Sequence, residues 1–177
     1  VYSGKNDAAG YAWGMDLQLR GEFTENCTSW ISYSYLVAKE NLSDDNLGYV
    51  PRPADQRHTL AFQLEDRMVN HPNSRIHLRI LIGSGRPFTH IYTTTGEDGL
   101  PIIHRTERNR YRLPVYRRFD VGFSQQIILF SRPVRIREEV LNMFNVRNIM
   151  GYTWFSNDLI PRYLSGRVYL ISASMEF

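Results

Sequence analysis

Six arginines between residues 105 and 118 form the densest group of potential ligand-binding side chains in this 177-residue sequence. A guanidinium group pairs bidentately with phosphate or carboxylate, and Tyr111 and Tyr116 among the arginines offer rings for stacking. Such a segment can bind the phosphates and bases of a nucleic acid. The amphipathic strands predicted on both sides favour instead a loop that meets an anionic ligand, with plain solvated loop charges as an equal alternative. The arginines are Arg105, Arg108, Arg110, Arg112, Arg117 and Arg118.

Other reactive residue types occur without the spacing that catalysis or metal binding needs. The five histidines show no close pairing that would form a local metal site. The segment Gly83-Ser84-Gly85 is not followed by a predicted helix, so it is not a phosphate-binding loop. The single cysteine, Cys27, excludes an internal disulfide bond and a zinc site built on thiolates. We therefore predict no enzyme activity, no metal and no cofactor.

The elements that position these residues are predicted to be strands, because apolar and polar residues alternate along most of the chain. The sixth strand loses its phase near Asn142, where we expect a bulge and then continuation to Phe155. A short helix over residues 138–144 is the less favoured alternative. The fold class is therefore all-β, an antiparallel meander of about seven amphipathic strands. The predicted strands are 12–20, 29–37, 55–66, 75–82, 113–130, the segment from 134 onward, and 169–177.

Most charged residues fall on one face of these strands, and the aromatic residues collect on the other. We expect the carboxylates of the charged face to form salt bridges with its arginines rather than catalytic pairs. The carboxylates are Asp16, Glu65, Asp120 and Glu139, and the arginines are Arg118, Arg135 and Arg137.

The composition limits the class of protein. With 42% hydrophobic, 13% aromatic and 22% charged residues, the chain is not predicted to be disordered. Its apolar runs are far shorter than the roughly 18 residues of a helical membrane span. A mean hydropathy of −0.39 fits a soluble protein, and equally a membrane barrel in which apolar and polar residues alternate. Residues 1–7 lack the pattern of a signal peptide, so we expect a protein that stays where it is made or a piece of a longer one.

Short and long connections alternate between the predicted strands. Membrane barrels have short turns at one end and long loops at the other, and they carry aromatic girdles on the apolar face. A soluble β-sandwich or jelly-roll binding module gives no reason for this alternation, but it remains the alternative.

Four local motifs and the last residue suggest a family. The motifs are Pro-Arg-Pro-Ala-Asp-Gln-Arg-His at 51–58, Gly-Arg-Pro-Phe at 85–88, the segment from Asn109 to Asp120, and the segment from Glu139 to Asn148. In this order they resemble motifs in the C-terminal part of TonB-dependent outer-membrane receptors. The terminal Phe177, on an alternating strand, resembles the common end of outer-membrane barrels, whose assembly machinery recognises that terminal strand.

The resemblance implies that residues 1–177 are the last strands of a roughly 22-stranded barrel, without the plug domain of the family. An odd set of seven strands does not close in the usual bacterial pattern, so we expect a fragment. The implied function is active transport across the outer membrane of a Gram-negative bacterium, for a scarce ligand such as an iron chelate, cobalamin or a glycan. The implied partners are outer-membrane lipid and lipopolysaccharide, the remaining barrel and plug, and the TonB energy-transducing complex through an N-terminal region.

The resemblance also implies which residues bind the ligand. A nucleic acid is not expected as a partner. Ligand-binding candidates are residues of the long loops and of the charged face, and the terminal residue is the candidate assembly signal. The ligand-binding candidates are Arg86, Arg110, Arg112, Tyr116, Arg118, Asp120 and Trp154, and the assembly signal is Phe177.

Overall fold

The computed structural model describes residues 8–24, 27–43, 45–68, 70–155 and 158–175. This part of the chain is built of strands. They are β1 (Ala9–Thr24), β2 (Cys27–Asn41), β3 (Val50–Pro51), β4 (His58–Met68), β5 (His71–Gly83), β6 (Pro87–Phe88), β7 (Ile91–Thr95), β8 (Pro101–Arg105), β9 (Tyr111–Arg112), β10 (Tyr116–Leu129), β11 (Arg132–Leu141), β12 (Ile149–Phe155), β13 (Asp158–Tyr163) and β14 (Val168–Met175). No helix long and apolar enough to cross a membrane is present in the described residues.

Seven long strands form one antiparallel sheet in the order β1-β2-β4-β5-β10-β11-β14, and β3 pairs with β2. Each long strand therefore lies beside the long strand that precedes it in sequence. The predicted all-β class and antiparallel sheet are confirmed. Three short hairpins or pairs lie outside this sheet: β6 with β9, β7 with β8, and β12 with β13.

The register of the sheet separates apolar from polar residues. Leu17 lies opposite Tyr33, which lies opposite Leu60, which in turn lies opposite Ile82. This produces a mainly apolar face across the strands, as the alternation predicts. Charged residues also lie on it, among them Arg117, opposite Ile82, and Glu138, opposite Phe123 and Ile171. That face is uncovered: Ile171 is 79% exposed. Among the described residues few apolar side chains are buried, and these include Cys27, Val37, Ala38 and Val134.

The connections alternate in length, and this places all three long ones at the same end of the sheet. The short connections are residues 25–26, 69–70 and 130–131, and the long connections are residues 42–57, 84–115 and 142–167. At the third short connection Phe130 and Ser131 have φ values of 49° and 62°, which is typical of the tight turns of two-residue hairpins. The end with the long connections is called the rim below.

One expectation about the strands is corrected. The sixth long strand does not bulge near Asn142 and continue to Phe155, because β11 ends at Leu141. Asn142 has a φ of 52°, a left-handed conformation that asparagine tolerates and that a strand does not use. Residues 149–155 instead form β12 of a separate hairpin. Phe177, the candidate assembly signal, lies outside the described residues.

Candidate functional site at the rim

A buried carboxylate connects two of the long connections. Asp55 is 0% exposed and accepts hydrogen bonds from the Ala38 backbone N–H, at 2.7 Å, and from the guanidinium groups of Arg57 and Arg112, the latter at 2.6 Å. Arg112 also donates to the backbone carbonyls of Asp55, at 2.7 Å, and Gly85, at 3.0 Å. These four residues, Ala38, Asp55, Arg57 and Arg112, are called the Asp55 cluster. It joins β2 and the first long connection to the second.

The Asp55 cluster favours the ionised carboxylate. Burial alone raises the pKa of Asp55, but the hydrogen bonds from Arg112, the Ala38 N–H and Arg57 outweigh that effect. The pKa of Asp55 is therefore held below its ordinary value. A buried charge with this many donors is satisfied by its own chain, so Arg112 is a structural member of the rim.

A second attachment holds the same two connections together. The Arg108 guanidinium donates to Asp45, at 2.7 Å, and to Glu40. Beside it the buried Asn109 donates through Nδ2 to the Pro51 carbonyl, at 2.8 Å. The hydrogen bond from Arg108 holds the pKa of the Asp45 carboxyl below its ordinary value. These contacts hold the second long connection against the first.

The third long connection is anchored on β10 through buried asparagines. The Asn142 N–H donates to Asp120, at 2.9 Å, while Asp120 also pairs with Arg118, at 2.6 Å. Asn148 forms two hydrogen bonds with the backbone of Arg117, through Oδ1 at 2.9 Å and through Nδ2 at 2.8 Å. Arg118 and Asp120, both candidate ligand residues, thus satisfy each other at the base of this connection.

Salt bridges also run along the charged face below the rim. Arg137 pairs with Glu139 at 2.6 Å, so the predicted pairing on that face is confirmed for Arg118 and for Arg137. Further toward the short connections, Glu65 pairs with Arg75 at 2.5 Å. These charges satisfy one another within the sheet.

Two candidate residues line an open cleft. Arg86 and Tyr116 face a cleft of about 410 Å³ between the long connections, and Gln56, Leu113 and Met150 also line it. The cleft combines an exposed guanidinium and a phenol with an apolar floor. Such a lining suits an amphipathic ligand that carries a negative charge.

The other candidate residues lie apart from this cleft. Arg110 pairs with Glu107 at 3.2 Å on the exposed surface. Trp154 lies on β12 opposite Leu159 of β13. The seven candidates therefore do not form one site. They lie in a cleft (Arg86 and Tyr116), in the Asp55 cluster (Arg112), in an ion pair on β10 (Arg118 and Asp120), in a surface ion pair (Arg110) and on a hairpin (Trp154). Their roles in ligand binding stay predictions.

A row of aromatic rings at the rim was missed from the sequence. Neighbouring rings in it lie 5.1 to 6.3 Å apart, measured between centroids. Its members come from β6, β7, β8, β9, β12 and the two-residue segment between β6 and β7, so no local sequence pattern indicates the row. The members, called the ring strip below, are Phe88, His90, Tyr92, His104, Tyr111 and Tyr152.

Within the described residues no group of three or more histidine, cysteine, aspartate or glutamate side chains is placed to hold a metal ion. Comparison of the chain with known protein families, with curated proteins and with solved structures finds no match. The function proposed next is therefore supported by the residues and geometry of the chain itself.

Proposed function

We propose that the chain is a C-terminal part of the barrel wall of a TonB-dependent outer-membrane receptor, which takes up a scarce ligand by active transport. The observation that carries the proposal is the uncovered apolar face of the sheet. Trp13, Met15, Leu17 and Leu19 are each more than half exposed on one strand. An exposed apolar surface of this kind needs a covering, and the acyl chains of a bilayer provide one.

The opposite face supports the same assignment. It carries the ion pairs Glu65–Arg75, Arg118–Asp120 and Arg137–Glu139, which suit the polar interior of a large barrel. The alternation of short and long connections is also typical of such barrels. A soluble β-sandwich, the alternative function class, requires a second sheet packed on the apolar face.

The edges of the sheet indicate what the remaining protein must supply. Within the described residues β1 pairs only with β2, and β14 pairs only with β11. Unpaired backbone groups in lipid cost several kcal/mol each, so a complete barrel needs further strands at both edges, while the isolated sheet can still place its apolar face against lipid. The remaining barrel, with its plug, is the proposed partner at both edges. The TonB energy-transducing complex is the proposed partner of the whole receptor, which places it in the outer membrane of a Gram-negative bacterium.

The rim is the proposed ligand-facing end. Residues of its three long connections line the cleft of Arg86 and Tyr116, and Arg105 and Arg110 are exposed on the second of these connections. Exposed guanidinium groups at this level are placed to meet the phosphates of lipopolysaccharide or an anionic ligand. No nucleic-acid role is proposed, because Arg108, Arg110, Arg112 and Arg118 already pair with carboxylates of the chain.

Two tryptophans on opposite faces test the proposal. Trp13 lies on the apolar face, while Trp30 lies on the other face, opposite Arg20 and Gln63. Two single-tryptophan variants are refolded into vesicles: Trp30→Phe with Trp154→Phe, which keeps Trp13, and Trp13→Phe with Trp154→Phe, which keeps Trp30. Lipids with brominated acyl chains quench the fluorescence of a tryptophan that touches them. We expect strong quenching of Trp13 and weak quenching of Trp30.

The same measurement separates the two function classes. Equal quenching of both tryptophans contradicts a sheet with one lipid-facing side. A chain that stays soluble and monomeric without detergent, with no quenching of Trp13, supports the β-sandwich alternative. Trp30 is the control on the other face: it lies on the neighbouring strand, opposite Arg20, which is seven residues further along β1 than Trp13.

A further inference from the structure

A carboxylate lies well inside the apolar face of the sheet. Glu138 is opposite Phe123 on one neighbouring strand and opposite Ile171 on the other. The residues two positions away along its own strand, which share its face, are Ile136 and Val140. Every near neighbour of Glu138 on this face is therefore apolar.

The Glu138 side chain is exposed, and within the part of the chain that the structure describes it forms no hydrogen bond or ion pair. The next residue, Glu139, lies on the polar face and pairs with Arg137 at 2.6 Å. The Arg167 guanidinium donates to the hydroxyl of Tyr169 at 3.5 Å and does not reach Glu138. An unpaired ionised group that faces acyl chains is costly, so such a group marks a binding site and calls for a partner.

Other charged residues of the apolar face lie close to strand ends. Near a strand end a side chain can reach water or lipid head groups. Arg117 is the second residue of β10 and Arg132 is the first of β11. Lys39 and Asp66 are each third from the last residue of their strands, β2 and β4. Glu138 differs from these four, because it is three residues from the nearer end of β11 and is flanked by apolar side chains.

Glu138 also lines an open groove of about 450 Å³, which is called the Glu138 groove below. Phe123 lies on one side of the carboxylate, and Tyr169 and Ile171 lie on the other. Tyr169 is 69% exposed and Ile171 is 79% exposed. A mostly apolar recess of this size with one charged group is typical of a site for a small molecule.

The chemistry of the groove limits what can bind in it. A single carboxylate does not hold a calcium ion, which takes six or more oxygen ligands. A neutral apolar molecule would cover the groove and leave the carboxylate without a partner. An ammonium group on an apolar body pairs with Glu138, and the rings of Phe123 and Tyr169 beside it can add cation–π attraction.

We infer that the Glu138 groove binds a lipid-soluble amine, with its ammonium group on the carboxylate and its apolar body against Phe123, Tyr169 and Ile171. The inference goes beyond the proposed function, which concerns a ligand taken up at the rim. It rests on that function only for the lipid from which the amine enters the groove. The closing experiment is done in detergent, so that it does not depend on insertion into a bilayer.

The test follows the modification of carboxyl groups by dicyclohexylcarbodiimide, which reacts with carboxyls in apolar surroundings. The full chain is refolded in a neutral detergent, and mass spectrometry of its peptides measures Glu138 and Glu139 separately. The probe is N,N-dimethyldodecylamine, which carries its charge on an apolar chain and cannot form an amide. We expect Glu138 to be modified without the amine, and about tenfold more slowly with it, as about 90% occupancy of the groove requires.

Matched controls come from the same face and from the adjacent residue. Ile171→Ala and Tyr169→Ala are expected to weaken the protection of Glu138, because both remove apolar contact in the groove. Leu17→Ala, at a side chain that is 53% exposed on the same face of β1, is expected to leave it unchanged. Glu139 is expected to show no dependence on the amine. Circular dichroism melting of each variant confirms that it remains folded.

Four results overturn the inference. They are no modification of Glu138 without the amine, no protection by it, equal protection by 1-dodecanol or by calcium ions, and protection that Ile171→Ala and Tyr169→Ala leave unchanged. Equal protection by the alcohol or by calcium would identify the occupant as any alkyl chain or as a metal ion. Failure of the membrane proposal is read separately, from the quenching of Trp13. A chain that enters lipid without protection of Glu138 contradicts only the inference, and protection without quenching of Trp13 contradicts only the proposed function.

Discussion

The Asp55 cluster and the ring strip lie in the same part of the molecule, but their side chains are satisfied in different ways. Asp55 has no exposed surface and receives donors from two arginines and a backbone N–H. Tyr92 and Tyr111 keep nearly half of their surface open. A buried, fully paired charge fixes backbone geometry, whereas an open ring surface is free to meet a ligand.

This difference changes how motif residues are interpreted. Asp55 and Arg112 belong to segments that resemble receptor motifs, and in the structure they hold the long connections together. Of the two exposed rings, Tyr92 belongs to none of the quoted motifs, whereas Tyr111 lies in the segment from Asn109 to Asp120. At Asp55 and Arg112, therefore, residues of the quoted motifs hold the rim together.

The largest expected effect comes from removing the buried carboxylate. Asp55→Ala leaves Arg57 and Arg112 without their partner and the Ala38 N–H unpaired. Breaking a buried ion pair in this way costs about 3–5 kcal/mol. We expect a fall of that order in the free energy of unfolding, measured by urea titration of the chain refolded in detergent.

An exposed ion pair on the same connection is the control. Glu107 and Arg110 are more than half exposed, so Glu107→Ala is expected to cost about 0.5 kcal/mol or less. Similar losses for Asp55→Ala and Glu107→Ala would show that the Asp55 cluster does not stabilise the rim.

A smaller effect is expected at a glycine that both regions depend on. A Cβ added at Gly85 would lie 1.5 Å from the Leu113 carbonyl oxygen, a backbone atom that has no rotamer to change. Gly85 also accepts a hydrogen bond from Arg112 and lies three residues before Phe88 of the ring strip. Overpacking of this kind costs about 1–3 kcal/mol, so Gly85→Ala is expected to lower the urea midpoint by a corresponding amount.

Gly151 is the matched glycine for this measurement. Nothing lies within 4 Å of a Cβ added there, and it is also in a strand of the rim, β12. Gly151→Ala is expected to change the free energy of unfolding by less than about 0.5 kcal/mol. A Gly85→Ala variant as stable as Gly151→Ala would contradict the close approach of residues 85 and 113.

The sheet could be predicted from the sequence because each long strand has one apolar and one polar face, and this contrast repeats every two residues. The hairpins at the rim lack that contrast. Residues 91–95 and 101–105 are largely exposed on both faces, so their pairing leaves no periodic signal. The end of β11 was missed because it depends on the left-handed conformation of Asn142, which composition alone does not reveal.

The candidate site, unlike the sheet, could be predicted from the sequence only in part. The charge pairs Arg118–Asp120 and Arg137–Glu139 follow from strand positions two residues apart on one face. The pairing of Arg112 with Asp55 does not follow from strand positions. Asp55 is 57 residues away and contacts Arg112 only through the packing of two long connections. The ring strip is a similar case, since its six members become neighbours only when four separate pieces of chain are paired.

The smallest expected effect is a pH dependence of the free energy of unfolding. It distinguishes the Asp55 cluster from the ring strip. The pKa of Asp55 is lower in the folded chain than in the unfolded chain, where it is about 3.9. Its ionised form therefore contributes stability above pH about 4, and that contribution is lost as the pH falls through the lower, folded pKa. The effect is smaller than that of Asp55→Ala, since a protonated carboxyl still accepts some of the hydrogen bonds.

The stability difference between the native chain and Asp55→Asn isolates this contribution. It is expected to be constant from neutral pH down to about pH 4 and to shrink below it, because asparagine carries no charge to lose. Tyr92→Ala is expected to show no such change, since its ring takes no part in the ion pairs. A difference that grows toward low pH would mean that the folded chain raises the pKa of Asp55. In that case burial, rather than the arginines, would dominate the Asp55 cluster.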